Sequence, residues 1–394
     1  MTPLGPPAER RDTAAPRTRH LEPLGIIEIL LLGRQHGAID LATGSPSFPD
    51  TPAELVASAC AALRSGHNQY DDPAGHRELR MAVAQVHDAD PDTEITVTGG
   101  CTEGLNVVLQ SLVQPGDEVI LAEPYYEAYP SAIRLAGGVP RFVRLREPGW
   151  CWRPDELAAA FGPRTRAVIV NSPHNPTGRV LTAAELAELA ALAQTWGAFV
   201  ISDEVYTEFR NRPEAVPSVG MFPAIADRTV VLRSLSKSHA IGGWRIGWIY
   251  APAALTATFR MVHETLTTGV ATPLQVAAAH IMRSKPGWTG AERSQLVSNR
   301  TRVIAALRAI GLTCEPPEGS AFLLARLPEQ GYGDAAAFAR RLITECGVTA
   351  APGDLFFSVP AAGSSYLRFS YNKADPLIAA GADRIRRLRS EQLV

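Results

Sequence analysis

Between Glu94 and Pro252 the chain repeats one unit, a short apolar run rich in Val and Ile followed by a turn and, in many cases, a helical pattern. Seven such runs fall at Ile95–Thr98, Glu118–Ala122, Arg141–Leu145, Ala167–Asn171, Ala198–Ser202, Thr229–Leu232 and Ile246–Tyr250. Helical stretches at Glu103–Val113, Tyr126–Ala136, Pro154–Ala160 and Thr182–Trp196 separate many of them. Unbroken apolar runs are strands buried on both faces, and strands separated by helices pair in parallel. The spacing therefore predicts an α/β fold with a mostly parallel sheet covered by helices. Ligands of such sheets bind outside the carboxyl ends of the strands. The residues just after each run are the ones that carry chemistry.

At 394 residues the chain is longer than the roughly 250–300 that one core usually fills. From about Ala253 the pattern turns helical, through Gln275–Met282 and Arg293–Ile310, and then mixes strand with helix. We expect a flexible tail over 1–23, a large domain over 46–285, and a smaller α+β domain made from 24–45 plus 286–394. The tail mixes Pro, Arg and acids and has no apolar core of a secretory signal, and Glu9 and Asp12 count against a transit peptide. A net charge of −2 with 20% charged residues points to neither a nucleic-acid nor a membrane partner, and no apolar run approaches the ~20 residues that cross a bilayer. Cys60, Cys101, Cys151, Cys314 and Cys346 lack C-x-x-C spacing, which indicates neither a metal site nor a disulfide framework and suits a reducing cytoplasm.

Of the 38 basic residues only Lys237, Lys285 and Lys373 are lysines. Lys237 ends the sequence Ser234-Leu235-Ser236-Lys237, after one apolar run and before Gly242-Gly243 and Arg245, so the stretch reads as strand, lysine loop, strand. Arginine stays protonated, whereas a desolvated lysine amine can lose its proton and attack a carbonyl. Lys237 is thus a candidate for Schiff-base chemistry, set against an ordinary surface lysine beside a flexible loop.

Other strand ends carry further candidates. Gly99-Gly100-Cys101-Thr102-Glu103 feeds a helix whose free N–H groups form an anion site, or is simply a turn. A helix N-terminus can lower the pKa of a thiol such as Cys101, although small size is the expected reason for a cysteine there. Tyr125, Tyr126 and Tyr129 follow a Pro-led turn. The octet Asn171-Ser172-Pro173-His174-Asn175-Pro176-Thr177-Gly178 has a backbone fixed by two prolines, which holds the Asn175 amide in one orientation. Asp203-Glu204-Val205-Tyr206 is either a cap or a catalytic acid. Gly44-Ser45-Pro46 lines a pocket or links domains, and Tyr70 sits in a loop. The stretch Ser364–Ser370 reads as an alternating strand bearing Arg368.

The combination of S-x-S-K with Arg eight residues on, the N-P-T-G octet, D-x-x-Y, N-Q-Y before P-x-G-x-x-x-L-R, and the G-x-P loop resembles the class I/II aminotransferases. These are fold-type I pyridoxal-phosphate enzymes of the aspartate aminotransferase superfamily, and the resemblance runs over essentially residues 24 to 390. It implies a seven-stranded sheet and pyridoxal 5'-phosphate held by Lys237 as a Schiff base. Lys237 would then move a proton between the substrate Cα and the cofactor. Asp203 would keep the pyridine nitrogen protonated, Asn175 and Tyr206 would meet the phenolic oxygen, and Tyr126 would stack on the ring, leaving Tyr129 to pack. Cys101, Thr102, Ser234 and Arg245 would hold the phosphate, joined by Tyr70 from the partner subunit of a homodimer. Arg368 would take the substrate carboxylate in a fork, beside Gly44 and Asn175. Loops at Glu318–Phe322 and Ala351–Gly353 would border the pocket. The implied activity is ping-pong amino transfer between an α-amino acid and a 2-oxo acid. The same residues would also serve elimination, replacement, cyclisation or oxidation of an amino acid, and a ligand sensor that kept the fold would bind the cofactor without turnover.

Overall fold

The computed structural model describes Thr18, Leu21 and residues 24–211, 214–284, 287–329 and 332–388. Apart from Thr18 and Leu21, the expected tail over 1–23 lies outside the described residues, as does Lys285.

Twelve strands occur among the described residues: β1 (Ile39–Asp40), β2 (Ile95–Thr98), β3 (Glu118–Glu123), β4 (Val139–Arg144), β5 (Thr165–Asn171), β6 (Phe199–Asp203), β7 (Thr229–Ser234), β8 (Gly247–Tyr250), β9 (Phe322–Arg326), β10 (Val348–Thr349), β11 (Ala351–Pro352) and β12 (Tyr366–Ser370). Seven form one sheet in the order β2-β8-β7-β6-β5-β3-β4. Neighbours are parallel except at β8, which runs antiparallel to both β7 and β2. A parallel return needs a crossover that carries the chain back along the sheet. The segment Leu235–Ile246 between β7 and β8 contains one helical turn, Leu235–Ser238, and a short 3₁₀ turn, Gly242–Trp244, so the chain reverses in place. The expected lysine loop is therefore corrected in part: Lys237 lies on a helical turn, because the Ser234 hydroxyl caps it by accepting the Ser236 N–H at 2.9 Å.

Period-two alternation sends neighbouring residues of each strand to different cores. Ala167, Ile169 and Ile201 pack with Leu105, Val108 and Leu109 of the helix Gly100–Leu112. Val168, Val170 and Val200 pack on the other face with Leu186, Leu189 and Ala193 of the helix Ala183–Trp196. Each fully buried Val, Leu or Ile stabilises the fold by about 1.5–3 kcal/mol. The second helix starts in a capping box between Thr182 and Glu185 and stops at Gly197, whose φ of 65° suits a glycine. At the sheet edge β4 begins two residues before the expected Arg141, since Val139 already pairs with Glu118 although its side chain is exposed.

A further core joins Ile29 and Leu41 to Leu323, Phe338 and Ile378, and β1 pairs in parallel with β10. The chain's first described helix, Gly25–Gln35, thereby packs with C-terminal elements. β12 is the middle strand of the antiparallel sheet β11-β12-β9. Its expected alternation is not observed, and Leu367, Arg368, Phe369 and Ser370 are all buried, because the face bearing Arg368 looks into a cavity instead of solvent. No helix among the described residues is long and apolar enough to cross a membrane.

Candidate active site

The carboxyl ends of β2, β3, β5, β6 and β7 open into one cavity of about 390 Å³, closed on the other side by β9, β12 and the helix Gly25–Gln35. Cys101, Thr102, Tyr126, Asn175, Asp203, Tyr206, Ser234, Lys237, Arg245, Arg368 and Gly44 all line it, so the structure brings together every expected site residue except one. The exception is Tyr70, which is 86% exposed and does not line the cavity of its own chain.

One end of the cavity is built for an anion. The helix Gly100–Leu112 starts without a side-chain cap, which leaves its first N–H groups free to donate. Arg245 crosses this turn, donating from Nη2 to Gly99 O at 2.7 Å and from Nη1 to Gly242 O at 3.0 Å. Gly100 has φ +81°, and a Cβ there would lie 2.5 Å from Arg245 Nη2, so only glycine allows the guanidinium this close. The Ser234 hydroxyl lies 2.7 Å from Ile246 O, so its proton has a backbone acceptor. Burial and the Asp203 charge push the Cys101 thiol well up. The lowering that a helix N-terminus can give a thiol is not seen, because desolvation dominates.

At the other end Asp203 is buried, and burial raises its carboxyl above the ordinary value. The Tyr129 hydroxyl donates to Oδ2 at 2.7 Å and Val205 N–H to Oδ1 at 3.2 Å, both opposing that rise. Tyr129 was expected only to pack; its hydrogen bond is the part that sequence reasoning missed. Tyr126 meets Tyr129 edge to face, with centroids 5.3 Å apart. Asn171 ties the two strand ends, donating to Asp203 O at 2.9 Å and accepting Asn175 N–H at 2.8 Å. Glu204 turns elsewhere, toward Ser202 and Arg233.

Lys237 is half-buried, and burial first, with the Lys373 and Arg245 charges behind it, pulls its amine down to about 8. Lys373 itself is buried, donating to Ser45 O at 2.7 Å and pairing with Asp40 at 3.2 Å. It holds the Gly44 loop together with Asn372, whose Nδ2 donates to Gly44 O at 3.1 Å. Sequence reasoning assigned Lys373 no role; its rarity as a lysine was the one available signal. Gly44 is needed for contact, since a Cβ there would lie 2.5 Å from the Phe322 ring.

Arg368 is buried, with its guanidinium between Phe322 and Phe356 at 4.2 and 4.7 Å from the ring centroids. It donates to Asn175 Oδ1 at 2.9 Å and to Ala42 O at 2.7 Å, while its Nε has no partner among the described residues. A guanidinium only donates, so Asn175 must present its oxygen to Arg368 and leave its NH₂ free to donate. No carboxylate of the described residues pairs with Arg368, and a buried cation without one calls for an anionic ligand.

The cavity therefore joins an anion cradle, a carboxylate that stays available to a basic ring nitrogen, an amine that deprotonates near neutrality, and a second cation. This set fits pyridoxal phosphate together with a carboxylate substrate.

Comparisons with known proteins agree. The family model for aminotransferase class I and II matches residues 36–385. A probable N-succinyldiaminopimelate aminotransferase of Mycobacterium tuberculosis is 36% identical over 366 residues, covering 88% of this chain and 91% of that protein. The methionine aminotransferase of Escherichia coli is 36% identical over 363 residues, 91% of this chain and 94% of its own. The solved structure of the Mycobacterium tuberculosis N-succinyldiaminopimelate aminotransferase superposes with a TM-score of 0.91 at 34% identity, over 95% of this chain and 100% of that one.

Proposed function

This chain belongs to the class I and II aminotransferases, fold-type I enzymes dependent on pyridoxal phosphate, and on that premise we propose how its own residues divide the work. The observation that carries the assignment is the shared cavity of Lys237 and Arg368, a deprotonable amine and a buried cation without a carboxylate partner among the described residues.

Bound pyridoxal phosphate supplies an aldehyde that condenses with amines and a ring that accepts the electron pair left at the substrate Cα. The N–H groups of Cys101 and Thr102, with Arg245, would hold the phosphate, and the Ser234 hydroxyl would join them by turning its proton from Ile246 O. Asp203 keeps the ring nitrogen protonated and is itself held in place by Tyr129. Asn175 and Tyr206 would donate to the phenolic oxygen, and Tyr126 would cover the ring. Arg368 grips the substrate carboxylate beside Gly44, which aims the Cα–H bond at Lys237. The Lys237 amine would then take that proton from Cα and deliver it to the carbon that was the cofactor's aldehyde, work suited to a base near pH 8.

Tyr70, exposed in its own chain, reaches the phosphate of a second copy, so the working enzyme is a homodimer. The large domain spans 46–285, the small one 24–45 plus 286–394, and five unpaired cysteines suit a reducing cytoplasm. The amino donor is left to experiment, since the named relatives act on different amino acids.

The test is the visible spectrum of the purified protein mixed with amino acids and no oxo acid. Conversion of the bound cofactor in one stoichiometric half-turnover is expected, and it should be lost in Lys237→Ala. Arg368→Lys should raise the donor KM about a hundredfold, the worth of a forked charge-assisted pair. Repeated turnover without an acceptor would replace amino transfer by elimination.

A further inference from the structure

The cavity holds a second carboxylate that none of these roles uses. Glu127 follows Tyr126, is half-buried, and lines the same space as Lys237, Asp203 and Arg368. Burial pushes its carboxyl up, and the Arg368 charge pulls it back. Glu127 is in no ion pair among the described residues. Its Oε2 accepts the Ile26 N–H at a long 3.5 Å, with Gly25 N–H beside it, at the start of the helix Gly25–Gln35. These two backbone donors at one helix end leave acceptor capacity of the carboxylate for a ligand.

Leu24, Ile26, Ile27 and Leu30 form the wall that runs from this point. A substrate held by its carboxylate at Arg368, with its Cα–H bond toward Lys237, has its side chain left to place, and this wall with Glu127 is open to it. An apolar wall beside an unpaired carboxylate complements a methylene stem that ends in a cation, and it repels a stem that ends in an anion.

Resting on the aminotransferase reading, we propose that Glu127 is a specificity-determining residue: it selects amino donors whose apolar stem carries a terminal ammonium or guanidinium, and it disfavours those ending in a carboxylate.

Three donors of equal chain length isolate the effect: L-norleucine, L-lysine and L-2-aminoadipate. In the holoenzyme kcat/KM of the half-reaction should rank lysine first and aminoadipate last. Glu127→Gln should cut the lysine-to-norleucine ratio about tenfold, the loss of one charge-assisted contact, and Glu127→Asp should restore part of it. Calorimetric Kd values for 6-aminohexanoate, hexanoate and adipate should change in the same order, which gives a readout independent of turnover. If Glu127→Gln slows all three donors equally, the carboxylate serves only to cap the helix and the proposal fails while amino transfer stands. Wild-type ratios that rank aminoadipate first would also overturn it. If no donor of any kind converts the cofactor, it is the aminotransferase reading that fails.

Discussion

The Tyr129 hydroxyl donates to Oδ2 of Asp203 across 2.7 Å, linking the helix after β3 to the end of β6. Both side chains are buried, so the donor opposes a desolvation that would otherwise push the Asp203 carboxyl further up. A donor lost from an ionised acceptor costs about 1.5–3 kcal/mol. Tyr129→Phe should therefore weaken cofactor affinity by about tenfold or more, read as the dissociation constant from fluorescence titration. Unchanged affinity would make Tyr129 a packing residue after all.

Lys237 should be more reactive than Lys373 in the cofactor-free protein. With its pKa pulled down to about 8, about half of it is neutral at pH 8, against well under 1% of an ordinary lysine. Brief acylation at pH 8 followed by peptide mapping should find Lys237 modified before Lys373, whose ammonium is tied to Asp40 and Ser45 O. Equal labelling of the two would contradict the desolvated environment assigned to Lys237.

Gly100 leaves the space that the Arg245 guanidinium occupies as it donates to the neighbouring Gly99 O at 2.7 Å. In Gly100→Ala a left-handed residue costs about 1–2 kcal/mol, and the new Cβ, which would lie 2.5 Å from Arg245 Nη2, displaces the guanidinium. The variant should fold with a lowered melting temperature and lose phosphate-dependent affinity, so that pyridoxal phosphate binds more weakly while pyridoxal binds as before. Equal weakening of both would place the damage outside the anion cradle.

His174 predicts how the fold responds to acid. It is buried with Nδ1 2.8 Å from Thr177 Oγ1, and burial, reinforced by Arg179, holds its imidazole down at about 3. The unfolded chain takes up a proton below about pH 6.5 that the folded chain refuses. Stability from this group is complete above that pH and is lost toward pH 3, at no more than about 1.4 kcal/mol per pH unit. His87, also held at about 3 by burial, acts in the same direction. Urea midpoints should stay level between pH 7 and 8 and decline below 6.5, with a shallower decline in His174→Gln. A midpoint that stayed level down to pH 5 would refute this.

Six of the seven strands of the main sheet were legible in the sequence because they are largely buried on both faces, and burial leaves unbroken Val- and Ile-rich runs such as Val119–Leu121 and Val168–Val170, whereas the edge strand β4 is half exposed and its start was misplaced. Most site residues after those strands were legible for a related reason: Thr102, Tyr126 and Asn175 stand close to a glycine or proline that fixes the local backbone and Ser234 precedes a rare lysine, whereas Asp203 and Tyr206 were legible only through the D-x-x-Y pattern. The order of the strands, the reversal at β8 and the pairing of β1 with β10 depend on contacts between segments far apart in the chain, which no local pattern encodes.

By itself, then, the amino-acid sequence determined the α/β class, the strand ends and the identity of Lys237, Asp203, Asn175 and Arg368 as candidates, since these follow from local periodicity and motif. Tertiary structure alone decided what those groups are worth. It buried Arg368 between two phenyl rings, set Tyr129 against Asp203, brought Lys373 from the C-terminal region to Asp40 and Ser45, and left Glu127 facing the cavity unpaired among the described residues. Desolvation and charge proximity act through space, and a pKa or an unmet hydrogen bond arises only when distant segments meet.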